Sequence, residues 1–159
     1  MASDALGDRM KDYERRETGS KFLPLLPIYA RIDGRGFSRF TRGFDRPFDA
    51  RFREAMLDTT KWLVEHTHSR VGYTQSDEIS LCWWAERFDS AVFFDGKKQK
   101  MVSQLAALAT QRFNRFLYTS KDPFLRECAD RAPTFDARVF QLPTLGECTN
   151  AFVWRELDA

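Results

Sequence analysis

The stretch YTQSDEISLCWW, residues 73–84, decides how this chain folds. RVGYTQ (70–75) and ISLCWW (79–84) are two short β-rich runs, with Gln75, Ser76, Asp77 and Glu78 at or near the break between them. That pattern predicts a β-hairpin. It also puts two consecutive carboxylates, Asp77 and Glu78, into a segment otherwise suited to a buried strand.

Upstream of the hairpin, Phe52, Ala55, Met56, Thr59 and Leu63 recur at helical spacing between Phe48 and about His66. Asp49 stands where a negative charge favours the start of that helix. Further back, IYARID (28–33) alternates Ile28, Ala30 and Ile32 against Tyr29, Arg31 and Asp33, as a strand does, after prolines that exclude a helix up to Pro27. Residues 8–18 read as a charged terminal helix. Downstream, Val102, Leu105, Ala109, Phe113 and Phe116 line one face of a helix from about Lys98 to Tyr118, and a polar, proline-containing loop follows it. FDARVFQL (135–142) is the last strand, and TLGECTNAFVWRELD (144–158) is a closing helix with Thr144 and Glu147 spaced as a capping box. The order strand, helix, strand, strand, helix, strand is the split βαβ, or ferredoxin-like, plan. The expected fold is α+β, an antiparallel sheet with helices packed on one face.

In that plan the first and third strands are central neighbours running antiparallel, so Asp33 comes to lie beside Asp77. Two carboxylates from segments 44 positions apart repel unless a cation compensates them. Magnesium suits such a place, because it takes one or two carboxylates, a backbone carbonyl such as that of Gly34, water and substrate phosphates. Two ions roughly 4 Å apart would activate an attacking oxygen and stabilise a leaving pyrophosphate. Alternation along the strand points Glu78 away from Asp77, so Glu78 either adds a ligand or supports the site.

Composition bounds the remaining choices. At 159 residues and 43% hydrophobic content the chain makes one compact domain. It shows neither a membrane-spanning apolar run nor a signal-peptide pattern, so a cytoplasmic protein without a membrane partner is expected. Cys82, Cys128 and Cys148 have no metal-ligand or disulfide spacing and read as reduced core residues. The net charge of +2 is unremarkable, but residues 31–53 hold seven arginines against three aspartates, interleaved with five phenylalanines. Such a surface suits phosphate groups. A P-loop is absent, and GRGFSR (34–39) fails the dinucleotide-binding pattern at its last position.

RIDGRGFSRF (31–40), RPFD (46–49), YTQSDEISL (73–81), FDGKKQKMVSQLAALATQRFN (94–114), FDARVFQLP (135–143) and WRELD (154–158) together resemble the tRNA(His) guanylyltransferase family. The resemblance implies a polymerase-like palm domain over residues 1–159, without the C-terminal segment that family members carry. It implies addition of a GTP-derived nucleotide to a tRNA 5′ end after activation with ATP, in the 3′-to-5′ direction and with two magnesium ions. Carried over by position, Asp33, Gly34 and Asp77 match the metal ligands and Asp33, Asp77 and Glu78 the catalytic carboxylates. Arg31, Gly34, Arg35, Gly36, Phe37, Arg46, Asp49 and Ser76 fall at positions near nucleotide or phosphate. The expected partners are GTP, ATP and tRNA, in a homo-oligomer. Templated repair of tRNA 5′ ends, or a palm module that binds nucleotide or RNA without turnover, are the alternatives.

Overall fold

The computed structural model describes residues 5–158. Helix α1 (Ala5–Thr18) precedes strand β1 (Ile28–Arg35), the short helix α2 (Phe37–Phe40) and the long helix α3 (Ala50–Thr67). Strands β2 (Val71–Gln75) and β3 (Glu78–Trp83) form the expected hairpin, and its two-residue turn is Ser76 and Asp77. Helix α4 (Lys98–Thr119), helix α5 (Pro123–Ala129), strand β4 (Thr134–Gln141) and helix α6 (Leu145–Leu157) complete the chain. The sheet order is β2-β3-β1-β4 with every neighbour antiparallel, the split βαβ arrangement. Among the described residues no helix is long and apolar enough to cross a membrane.

Side-chain alternation gives the sheet two different faces. Ile28, Ala30 and Ile32 of β1 and Ile79, Leu81 and Trp83 of β3 point into the main core. There they meet α3 and α4, whose buried residues follow the helical repeat: Ala55, Met56 and Leu63 on one, and Met101, Leu105, Ala109, Phe113 and Leu117 on the other. The four-residue interval on α4 makes a single stripe, and truncating its fully buried Leu105 to alanine would cost about 2–5 kcal/mol.

The expectation of helices on one face holds for α3 and α4, and α6 adds a cover on the other. Tyr29, Cys82 and Phe140 face away from the main core and pack with Cys148, Ala151 and Phe152 of α6 in a second, smaller cluster. Burial pushes the Tyr29 hydroxyl up to about 12; it donates to Ser80 Oγ at 2.7 Å. All three cysteines are free and buried.

Capping explains several boundaries. Asp49 accepts from the backbone N–H groups of Arg51 and Phe52 at the start of α3, and Thr144 accepts from that of Glu147 at the start of α6. The loop expected after α4 instead contains α5, which has Asp122 as its N-cap and Pro123 in its first turn. Asp-Pro is a local start signal, but seven residues are too few to show a helical repeat.

Candidate active site at the acidic end of the sheet

Strand pairing assembles the site on the face that α6 covers. Asp33 of β1 stands opposite Glu78 of β3 and Asp136 of β4, while Glu78 pairs across the hairpin with Gln75. Residues directly opposite one another share a face, so Gln75, Glu78, Asp33 and Asp136 form one row across the sheet. Asp77, in the turn, is tied to the same place because its carbonyl accepts the N–H of Gly34 at 3.0 Å. The expectation that Asp33 lies beside Asp77 is thus met at the backbone.

The carboxylates differ in their surroundings. Partial burial raises the pKa of Asp33, and repulsion from Asp77, Glu78 and Asp136 raises it further; Arg31 opposes this. Among the described residues neither Asp33 nor Asp77 lies within salt-bridge distance of a cationic group. Glu78, by contrast, receives a two-pronged hydrogen bond from Arg155, Nε to Oε1 at 2.7 Å and Nη2 to Oε2 at 2.9 Å. Arg31 approaches the same carboxylate at 3.9 Å, and its Nε is buried without a hydrogen-bond acceptor. Trp154 lies near both guanidiniums, its ring centroid 5.5 Å from that of Arg31 and 4.4 Å from that of Arg155.

The turn after β1 is built on glycine for steric reasons. A Cβ on Gly34 would lie 2.6 Å from the Phe37 ring, so only glycine lets that ring close under the strand end. Gly36 adopts the left-handed conformation (φ 66°), and its carbonyl accepts from Arg39 and Phe40 to start α2. Buried Phe37, Phe40 and Phe44 anchor this segment, leaving Arg35, Arg39, Arg42 and Arg46 exposed. Arg131 donates to the carbonyls of Phe40 and Arg42 at 2.6 and 2.7 Å, fixing the loop from beneath.

Two expected site residues are not brought there by their side chains. The Phe37 ring is 3% exposed and packs on Phe40, Phe52, Phe113 and Phe135, so it offers a nucleotide no face. Asp49 is buried and its oxygens are filled: Arg51 Nη2 reaches it at 2.7 Å, and the N–H groups of Asp45, Arg51 and Phe52 complete the shell. Chiefly because of Arg51, its pKa is held well below the usual carboxylate range. Ser76 is exposed at φ 52°, its hydroxyl 3.3 Å from Asp77 Oδ1.

Three residues at this end of the sheet escaped sequence reasoning: Asp136, Trp154 and Arg155. Alternation along FDARVFQL places Asp136 on the Asp33 face once the β1–β4 register is known. Nothing local in WRELD shows that Arg155 meets a carboxylate 77 positions away.

Among the described residues no three His, Cys, Asp or Glu side chains form a group that could enclose a metal ion. A hard cation that keeps its waters and shares substrate phosphates needs only one or two carboxylates. Asp33 and Asp77, which form no ion pair among the described residues, fit that demand.

The family model described as tRNAHis guanylyltransferase matches residues 7–143. An uncharacterized protein of Acanthamoeba polyphaga mimivirus is 32% identical over 99% of this chain and 59% of its own length. The tRNA(His) guanylyltransferase of Schizosaccharomyces pombe is 30% identical over 94% of this chain and 54% of its own length. The chain therefore spans little more than half of these curated relatives. A bacterial tRNA(His) guanylyltransferase-like protein solved with GTP superposes with a TM-score of 0.87 at 34% identity, covering 98% of this chain and 71% of the other. A second structure of such a bacterial protein holds ATP, with the same TM-score and identity. The fold agrees with these structural matches, the family model covers most of the chain, and the chain belongs to the tRNAHis guanylyltransferase family.

Proposed function

We propose that this chain is a magnesium-dependent nucleotidyltransferase that adds a GTP-derived nucleotide to the 5′ end of a tRNA, in the 3′-to-5′ direction. One observation carries the reading: Asp33 and Asp77 are brought together at one end of the sheet, and among the described residues neither forms an ion pair with a cationic side chain. Membership in the family and the GTP and ATP complexes of similar bacterial proteins support it.

In the first step a 5′-monophosphate oxygen attacks the α-phosphorus of ATP and pyrophosphate leaves. In the second, the 3′-hydroxyl of GTP attacks the activated 5′ phosphorus, its proton passes to solvent, and AMP leaves. Magnesium, held by Asp33 and Asp77 with the Gly34 carbonyl nearby, would supply electrostatic stabilisation of the phosphates. The chain itself ties the two aspartates together through the Gly34 N–H to Asp77 carbonyl bond, presents exposed arginines from the α2 segment to polyanion, and closes the strand end with the Gly34–Phe37 contact.

The test is incubation with 5′-monophosphorylated tRNAs, ATP, labelled GTP and magnesium. Addition confined to tRNA(His) supports guanylyl transfer in the narrow sense, whereas template-matched extension of many tRNAs supports 5′-end repair. Intact GTP, with saturable binding that Asp77→Ala abolishes, would identify a nucleotide-binding module instead. No product and no binding, under conditions where a full-length relative works, would overturn the reading.

A further inference from the structure

Glu78 is adjacent in sequence to Asp77 and opposite Asp33 in the sheet, yet it is treated differently from both. Its two carboxylate oxygens each receive a hydrogen bond from Arg155, and only 15% of its side chain and 12% of that of Arg155 are exposed. Arg155 has little freedom to leave. Its remaining Nη1 holds Asp158 at 2.7 Å, and its guanidinium lies over Trp154, which also faces Arg31. A two-pronged arginine–carboxylate pair fixes orientation as well as position.

Resting on the nucleotidyltransferase reading, we propose that Arg155, lying over Trp154, is a positioning residue that keeps Glu78 out of the cation site. Asp33 and Asp77 then remain the two carboxylates open to a cation. A free Glu78 would bring another carboxylate to a cation held by Asp33 and Asp77 and occupy coordination positions that the nucleotide phosphates need. Arg155 is borne by α6, on the face of the sheet away from the main core, so this helix contributes to the site through Glu78.

The test is a double-mutant cycle with Arg155→Gln, Glu78→Gln and the pair, read first by Mn2+ binding to the protein without nucleotide, using electron paramagnetic resonance. Arg155→Gln is expected to tighten Mn2+ binding by roughly 3- to 10-fold, because it releases Glu78, and the double variant to return to within about twofold of the wild type. In the transfer assay Arg155→Gln should lower kcat by about 10- to 100-fold, with the KM for GTP changed less than about threefold. Arg155→Lys, which keeps the charge but loses the fork, should recover part of that loss.

A purely structural Arg155 would lower the melting temperature, leave Mn2+ affinity unchanged or weaker, and add independently to Glu78→Gln; that result overturns the inference. If Arg155→Gln does not fold, Arg155→Lys against Glu78→Gln gives the same cycle. Wild-type protein that binds Mn2+ but transfers nothing would overturn the reading of activity, while the Mn2+ arm still decides the role of Arg155. Wild-type protein that binds no Mn2+ would overturn both.

Discussion

Asp33 and Asp49 are the same residue type 16 positions apart, and the structure treats them in opposite ways. Asp49 receives backbone N–H groups and a guanidinium, and its charge is stabilised. Asp33 is surrounded by Asp77, Glu78 and Asp136, and its charge is disfavoured. A carboxylate whose acceptors are filled belongs to the fold. One that repels its neighbours is held in place by the rest of the fold and gains from a bound cation. The resemblance drawn from sequence had placed both near substrate, and only the geometry separates them.

The largest effect expected from this contrast is on transfer. Asp77→Ala should reduce nucleotide addition by at least about 100-fold while leaving the melting temperature unchanged or slightly higher, since one repelling charge is removed. A parallel loss of stability and activity would show that Asp77 is structural. Gly34→Ala should act on both sides of the comparison, because its methyl group would meet the Phe37 ring at 2.6 Å. The expected cost is about 1–3 kcal/mol of stability by calorimetry, with transfer falling as β1 shifts against Asp77.

Asp49→Ala should lower stability by about 1–2 kcal/mol, a fall in melting temperature of roughly 2–8 °C, and leave the KM for GTP within about twofold. A tenfold rise in KM without unfolding would return Asp49 to the nucleotide site. Its depressed pKa fixes the sign of the pH dependence. The stabilisation is fully present above the ordinary carboxylate value of about 4 and is lost as pH falls toward the lower folded value. The gap between wild type and Asp49→Asn in thermal melts should therefore be widest near neutrality and narrow below about pH 4.

The smallest effects belong to the exposed arginines. Arg39→Gln or Arg42→Gln should weaken tRNA binding a few-fold and reduce the slope of log affinity against log salt by about 1 each, with GTP binding unchanged. An unchanged slope would remove this loop from the RNA surface.

Much of the fold was legible because its signals are local. The strand alternation of residues 28–33, the α4 stripe, the hairpin around Ser76 and Asp77, and the Asp49 and Thr144 caps each depend on neighbours within a few positions. The site was legible only where topology carried the argument: the split βαβ order brings Asp33 to Asp77 without knowledge of any side chain. Asp136 was missed because its place depends on the β1–β4 register. Phe37 was placed near nucleotide by the resemblance alone, and its burial rests on Phe52, Phe113 and Phe135, which only the tertiary fold brings to it.

From the order and periodicity of its residues, the chain by itself determined an antiparallel four-stranded sheet with two long helices and an acidic strand end. That holds because backbone hydrogen bonding and apolar spacing act over short distances. Only the tertiary structure decided which carboxylates are free: Arg51 lies within a helical turn of Asp49, but Arg155 reaches Glu78 across 77 positions once α6 has folded over the second face of the sheet. Charge compensation depends on separation in space, and separation along the chain does not report it.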